Sequence, residues 1–168
     1  MFLSLIAGVY GGAVYLFDFD NATEVFHYFQ KLTPTIPTES DQFGHSVAIN
    51  GKYVVVGAPQ NDSVNVSNVG AAYIFEMGAG SDKSFSLISD LRSPSPAVSA
   101  LFGWSVAVNS NGVIAIGAKG DRVARGSVYI FKPTESGQWE HAFTIEPNAT
   151  QSFLNLGNAG WSVAINDE

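Results

Sequence analysis

One stretch of the chain comes back, and its return limits the possible fold more than any other feature. Residues 43–59 read FGHSVAINGKYVVVGAP and are followed by GAAYIF at 70–75. FGWSVAVN begins at Phe102, VIAIGA at Val113, GSVYIF at Gly126 and AGWSVAIN at Ala159. Phe102 lies 59 residues after Phe43, and Ala159 lies 57 after Phe102. Gly12, Gly70 and Gly126 are 58 and 56 apart. A sustained period of this size marks a repeat architecture, in which a unit buries its apolar faces against its neighbours.

Each unit reads as four short strands. SVAI from Ser46, or SVAV from Ser105, is the first. YVVVGA or VIAIGA is the second, and AYIF or VYIF the third, with the β-branched and aromatic residues that suit a pleated surface. FSLISDL from Phe85, WEHAFTI from Trp139 and VFHYFQKL from Val25 are fourth strands, with Phe26, Phe85 and Trp139 equivalent. Asn50-Gly51 and Asn111-Gly112 are hairpin signals, because both residue types tolerate positive φ. Four antiparallel strands repeated at this spacing predict a blade of a β-propeller.

The pattern of FG, short strand, VVVGAP and GxAYIF resembles the FG-GAP repeats, the blades of integrin α-chain heads and of many secreted bacterial and protist proteins. The resemblance covers nearly the whole chain. It implies an all-β fold, part of a propeller of four-stranded antiparallel blades. Residues 1–42 would end one blade, 43–101 and 102–158 would be complete blades, and 159–168 would begin the next. A closed ring of 4–8 blades at this period runs to roughly 230–460 residues, so a longer parent chain is expected. Integrin-like heads carry an Asp-rich calcium motif in the first hairpin. Here Asn50-Gly51-Lys52 and Asn109-Ser110-Asn111-Gly112 have no carboxylate, so no metal and no cofactor is expected in these units. Calcium is left to other blades of the parent. Integrin heads also carry blade disulfides, and a chain without cysteine points away from a true integrin.

Composition excludes several classes of partner. Charged residues make up 14%, the net charge is −7 and the pI is near 4.7. Nucleic acid is therefore not a partner, since phosphate binding needs a basic stripe. The scattered basic residues offer no polybasic membrane patch either. FLSLIAGVYGGAVYLF at 2–17 is shorter than the ~20 residues of a membrane span and lacks the basic flank of a signal peptide. Its GAVYLF matches GSVYIF, so it reads as blade and not as a membrane-inserting segment.

No catalytic constellation is visible. His45 stands where the other copies have Trp104 and Trp161, which reads as a packing slot between blades; His27 and His141 lie on fourth strands. Asp18, Asp20 and Glu24 share a hairpin but lack the glycine turn and bidentate glutamate of a calcium loop. The longest loops, 60–69 and 119–125, join second to third strands and share a face with the crossings from fourth to first strands. Loops on a rigid scaffold concentrate function, so Asp62, Asp121, Arg122 and Arg125 are the candidate ligand-binding residues. Asn21, Asn61, Asn65 and Asn148 head Asn-X-Ser/Thr sequons and are candidate glycosylation sites. The expected role is a non-enzymatic, adhesion-like module, extracellular or at the cell surface, that binds protein or glycan through one propeller face. The alternatives are the accessory propeller of a larger secreted enzyme, with its catalytic residues elsewhere, and a structural spacer.

Overall fold

The computed structural model describes residues 2–6, 12–36, 38, 40–79, 83–147 and 157–167. It is all-β, with three antiparallel sheets that follow one another along the chain. The first holds β1 (Phe2–Ile6), β2 (Val14–Asp20) and β3 (Val25–Leu32), in that order. The second runs β4 (Ser46–Asn50), β5 (Tyr53–Ala58), β6 (Ala71–Met77) and β7 (Phe85–Leu91). The third repeats it with β8 (Phe102–Val108), β9 (Ile114–Ala118), β10 (Ser127–Pro133) and β11 (Trp139–Ile145). Pairing of Leu5 with Tyr15 and of Ile6 with Val14 makes β1 and β2 neighbouring antiparallel strands of the first sheet. Among the described residues no helix is long and apolar enough to cross a membrane.

The valine run of β5 is explained by burial on both faces. Val54 and Val56 face the first sheet, with Val14, Leu16 and Leu32. Val55 faces the third sheet, with Phe102, Ile114 and Ile116. Strands covered on both faces read as continuous apolar runs, whereas half-exposed strands alternate. The fourth strands β3 and β11 are the outer ones, and their Tyr28, Phe143 and Ile145 are exposed. One aromatic trio recurs in each interface: Phe43 packs on Tyr73 and Phe75, and Phe102 packs on Tyr129 and Phe131. A register shift recurs too, at Leu16/Phe17, Ile74/Phe75 and Ile130/Phe131, where the third strand pairs with the fourth. Such bulges increase local twist.

The motif glycines set the distance between blades. A Cβ on Gly12, Gly70 or Gly126 would fall 1.9–2.0 Å from the carbonyl oxygen of Phe43, Phe102 or Ala159 in the next unit. A Cβ on Gly57 or Gly117 would fall 2.0 Å from the carbonyl oxygen of Gly103 or Gly160. Ser46 Oγ and Ser105 Oγ donate to those same two carbonyls, at 2.9 and 2.8 Å. FG, GA and GxxY are thus three contact points of one interface, each needing a residue without a side chain.

Two details differ from the sequence reading. Residues 162–166 are expected to form a first strand, but they form none. β4 and β8 are held by β5 and β9, and 162–166 has no such neighbour among the described residues. It still docks like a first strand, since Asn109 Nδ2 donates to the Asn166 carbonyl at 3.1 Å and the Asp167 carboxylate accepts from Ser110 N–H at 2.7 Å. In the two Asn-Gly hairpins only the glycines, Gly51 at φ 56° and Gly112 at φ 76°, take positive φ. Asn109 stabilises its own turn instead, with Oδ1 accepting from the N–H groups of Asn111 and Val113.

Candidate ligand-binding face

The long loops between second and third strands interlock with the crossings that enter each first strand. Gln60 N–H donates to the Asp41 carbonyl at 3.3 Å, and Gly120 N–H to that of Ala100 at 3.0 Å. Ser99 and Leu101 N–H donate to Ser67 and Asn68 carbonyls, at 3.0 and 3.2 Å. This end of the sheets is therefore a bonded layer rather than a set of free loops. Its tips are apolar: Ile36, Val64, Val98 and Val123 are 78%, 88%, 68% and 97% exposed.

The residues singled out in the sequence fall into different places. Asp62 is exposed, and its Oδ1 accepts from Asn68 N–H at 2.7 Å, which closes the 60–69 loop. Asp121 is buried at 4% exposure. Its carboxylate accepts from Tyr129 Oη at 2.7 Å and from Arg122 N–H at 2.8 Å, so it braces the loop from inside the blade. Burial first, and that hydrogen bond second, push the Tyr129 phenol up. Arg122 is exposed and pairs with Glu146. Arg125 is exposed, and its carbonyl accepts Ala159 N–H at 3.0 Å. The loop between them holds a single left-handed turn, α1 (Asp121–Ala124), with Arg122, Val123 and Ala124 at φ 51°, 60° and 64°. Left-handed geometry costs a β-branched residue roughly 1–2 kcal/mol, and strain of this kind gathers at functional sites.

Among the sequons, Asn21 and Asn65 are exposed, and Asn148 lies outside the described residues. Asn61 corrects the sequence reading. It is 7% exposed, its Nδ2 donates to Asp41 and its Oδ1 accepts from Arg92. The amide that would carry a glycan is consumed inside the blade, at the position that Asp121 fills one unit later. The hairpin of Asp18 and Asp20 is an Asx turn, with Asp20 accepting from Ala22 N–H at 2.9 Å and Thr23 Oγ1 at 2.8 Å. Those bonds hold its carboxyl below the usual range. Among the described residues no group of three or more His, Asp or Glu is placed to hold a metal ion.

The residue after FG packs between units, as its place in the repeat suggests, without being fully buried. Phe43 and Phe102 are core, but His45 and Trp104 are only half-buried and Trp161 is 56% exposed. The preceding Gly44, Gly103 and Gly160 take φ of 89°, 87° and 80°, so the chain turns there. The three rings form a ladder across successive units, with centroids 4.2 and 5.5 Å apart. Lys119, which follows β9 where the preceding unit has Pro59, lays its Nζ 2.9 Å from the Trp104 ring centroid and 4.3 Å from that of Trp161. Burial lowers the Lys119 ammonium; burial, then the charge of Lys119, lowers the His45 imidazole.

Four-stranded antiparallel sheets packed face to face, with loops gathered at one end, define this chain as a run of β-propeller blades. Matches to the FG-GAP repeat at residues 27–75 and 89–131 give the family: the chain belongs to the FG-GAP repeat proteins. No curated protein matches it.

Proposed function

We propose that this chain is a non-enzymatic interaction module, extracellular or at the cell surface, that binds a protein or glycan through the face built by the 60–69 and 119–125 loops and the crossings beside them. The observation that carries this reading is the set of apolar tips, Ile36, Val64, Val98 and Val123, each more than two-thirds exposed on a hydrogen-bonded layer. Apolar side chains presented on a rigid layer lose little conformational entropy when a partner covers them. The FG-GAP family and the exposed sequons at Asn21 and Asn65 support the extracellular setting. The test is retention of the chain on cells or extracellular matrix from its source. The pair Val64→Asp and Val123→Asp should abolish retention, whereas Gln138→Asp, in the hairpin between β10 and β11, should leave it intact. Equal retention of all the variants would overturn the reading.

A further inference from the structure

The polar contact buried between loop and crossing differs in the two four-stranded sheets, although the frame around it is the same. Gln60 N–H donates to the Asp41 carbonyl at 3.3 Å, and Gly70 N–H to that of Asn61 at 2.9 Å. One unit later Gly120 N–H donates to the Ala100 carbonyl and Gly126 N–H to that of Asp121, both at 3.0 Å. Asp41 therefore corresponds to Ala100, and Asn61 to Asp121. In the second sheet the crossing supplies the carboxylate and the loop the amide. Asn61 Nδ2 donates to Asp41, which is 4% exposed, and Asn61 Oδ1 accepts from Arg92. In the third sheet the loop supplies the carboxylate, and the crossing brings only the methyl of the buried Ala100. Asp121 takes its bonds from Tyr129 Oη and Arg122 N–H instead. The rim is reversed as well. Asp62 and Arg92 line one cleft, whereas the corresponding residues of the next unit are Arg122 and Glu146, which pair.

We propose that these swapped contacts are a code by which each loop accepts its own crossing, so that units of similar sequence assemble in order. The partner that each loop surface fits is a segment of the same chain. Repeats that share packing motifs can dock out of order, with a unit skipped or exchanged with a second copy. The aromatic contacts do not discriminate, because Phe43 on Tyr73 recurs as Phe102 on Tyr129. The buried polar contact does. Docked on the third sheet, the crossing of Asp41 would set its carboxylate against that of Asp121, and an ionised carboxylate brings no donor. Like charges buried in contact are strongly unfavourable. Docked on the second sheet, the crossing of Ala100 would leave Asn61 Nδ2 without its acceptor. Each wrong match is penalised where the right one is satisfied, which is how look-alike partners are told apart.

Recoding the second sheet tests the idea, whatever the loop face binds. Asn61→Asp alone sets two carboxylates together and should lower the folding constant about 100-fold or more in urea at neutral pH. Asp41→Ala with Asn61→Asp gives the second sheet the pair of the third, where Tyr73 corresponds to Tyr129. It should recover most of that loss. Asp41→Ala alone measures the missing bond, so the rescue is read as the coupling in a double-mutant cycle. The recoded chain carries one code twice. Refolded beside wild type, it should form more dimer by exchange of units, in a share that rises with chain concentration. Exchanged dimers persist on dilution, because parting them requires unfolding, and size-exclusion chromatography counts them. An Asn61→Asp chain as stable as wild type, a double variant no more stable than Asn61→Asp, or a recoded chain whose dimer share matches wild type at every concentration would overturn the proposal.

Discussion

Gly57→Ala tests the idea that glycines set the spacing of the blades. The added Cβ would lie 2.0 Å from the Gly103 carbonyl oxygen and 2.3 Å from Ser46 Oγ, where real contacts stay beyond 3.0 Å. The obstacle is backbone of the next blade, so no rotamer change relieves it. The second and third sheets must part by about 1 Å along a close-packed interface. Overpacking of this kind costs about 1–3 kcal/mol. Loss of the Ser46 Oγ bond to the Gly103 carbonyl adds about 1 kcal/mol. The expected destabilisation is about 2–4 kcal/mol, which at this size lowers the melting temperature by roughly 5–15 °C. Scanning calorimetry reads it directly. Gly51→Asn is the control, because nothing lies within 4 Å of that site and Asn tolerates its positive φ. Ser46→Ala in the Gly57→Ala background should restore only a part, since the carbonyl remains. A Gly57→Ala melt within about 1 °C of wild type, or full rescue by Ser46→Ala, would refute the carbonyl contact as the spacer.

Other sites give independent checks. Ser127 Oγ is buried with no partner among the described residues, and the matching position one unit earlier is Ala71, so Ser127→Ala should raise stability by about 1 kcal/mol in denaturant unfolding. In a glycosylating host, peptide mapping should find sugar at Asn21 or Asn65 and none at Asn61; occupied Asn61 would mean that its bonds to Asp41 and Arg92 do not form in the folded blade. The folded state holds the His45 pKa below its unfolded value of 6.5, so the unfolded chain binds the proton first as pH falls. Wild type should therefore lose stability relative to His45→Phe on acidification below pH 6.5, and parallel unfolding midpoints from pH 7.5 to 5 would exclude that coupling.

The fold was legible because its signal is periodic. Gly12, Gly70 and Gly126 recur in register with the GxxY strands, and the apolar runs at 53–58 and 113–118 mark strands buried on both faces. The loop layer was legible as loops but not in its detail. Asp62, Asp121 and Arg122 look alike in sequence as charged loop residues. Only packing separates the buried brace under Tyr129 from the two exposed side chains. Asn61 misled for the same reason. A sequon specifies what a glycosylating enzyme can recognise, whereas the bonds to Asp41 and Arg92 come from residues 20 before it and 31 after it.

The ladder shows how a repeat can hide a column of side chains. Read along the chain, an aromatic after FG looks like core, because the phenylalanine two residues before it is core. Read across the units, His45, Trp104 and Trp161 form a column, and a column acquires geometry from the spacing of the blades. That spacing is set by Gly57 against Gly103 and by Gly117 against Gly160, the same contacts that hold the cores together. The glycines after Phe43 and Phe102 turn the chain just before each rung. Core and column thus share one cause, and beside the column one residue departs from the repeat. Lys119 replaces the Pro59 of the preceding unit and sets a charge against two indole rings. Returning that position to proline should leave both cores untouched and remove the charge from the face.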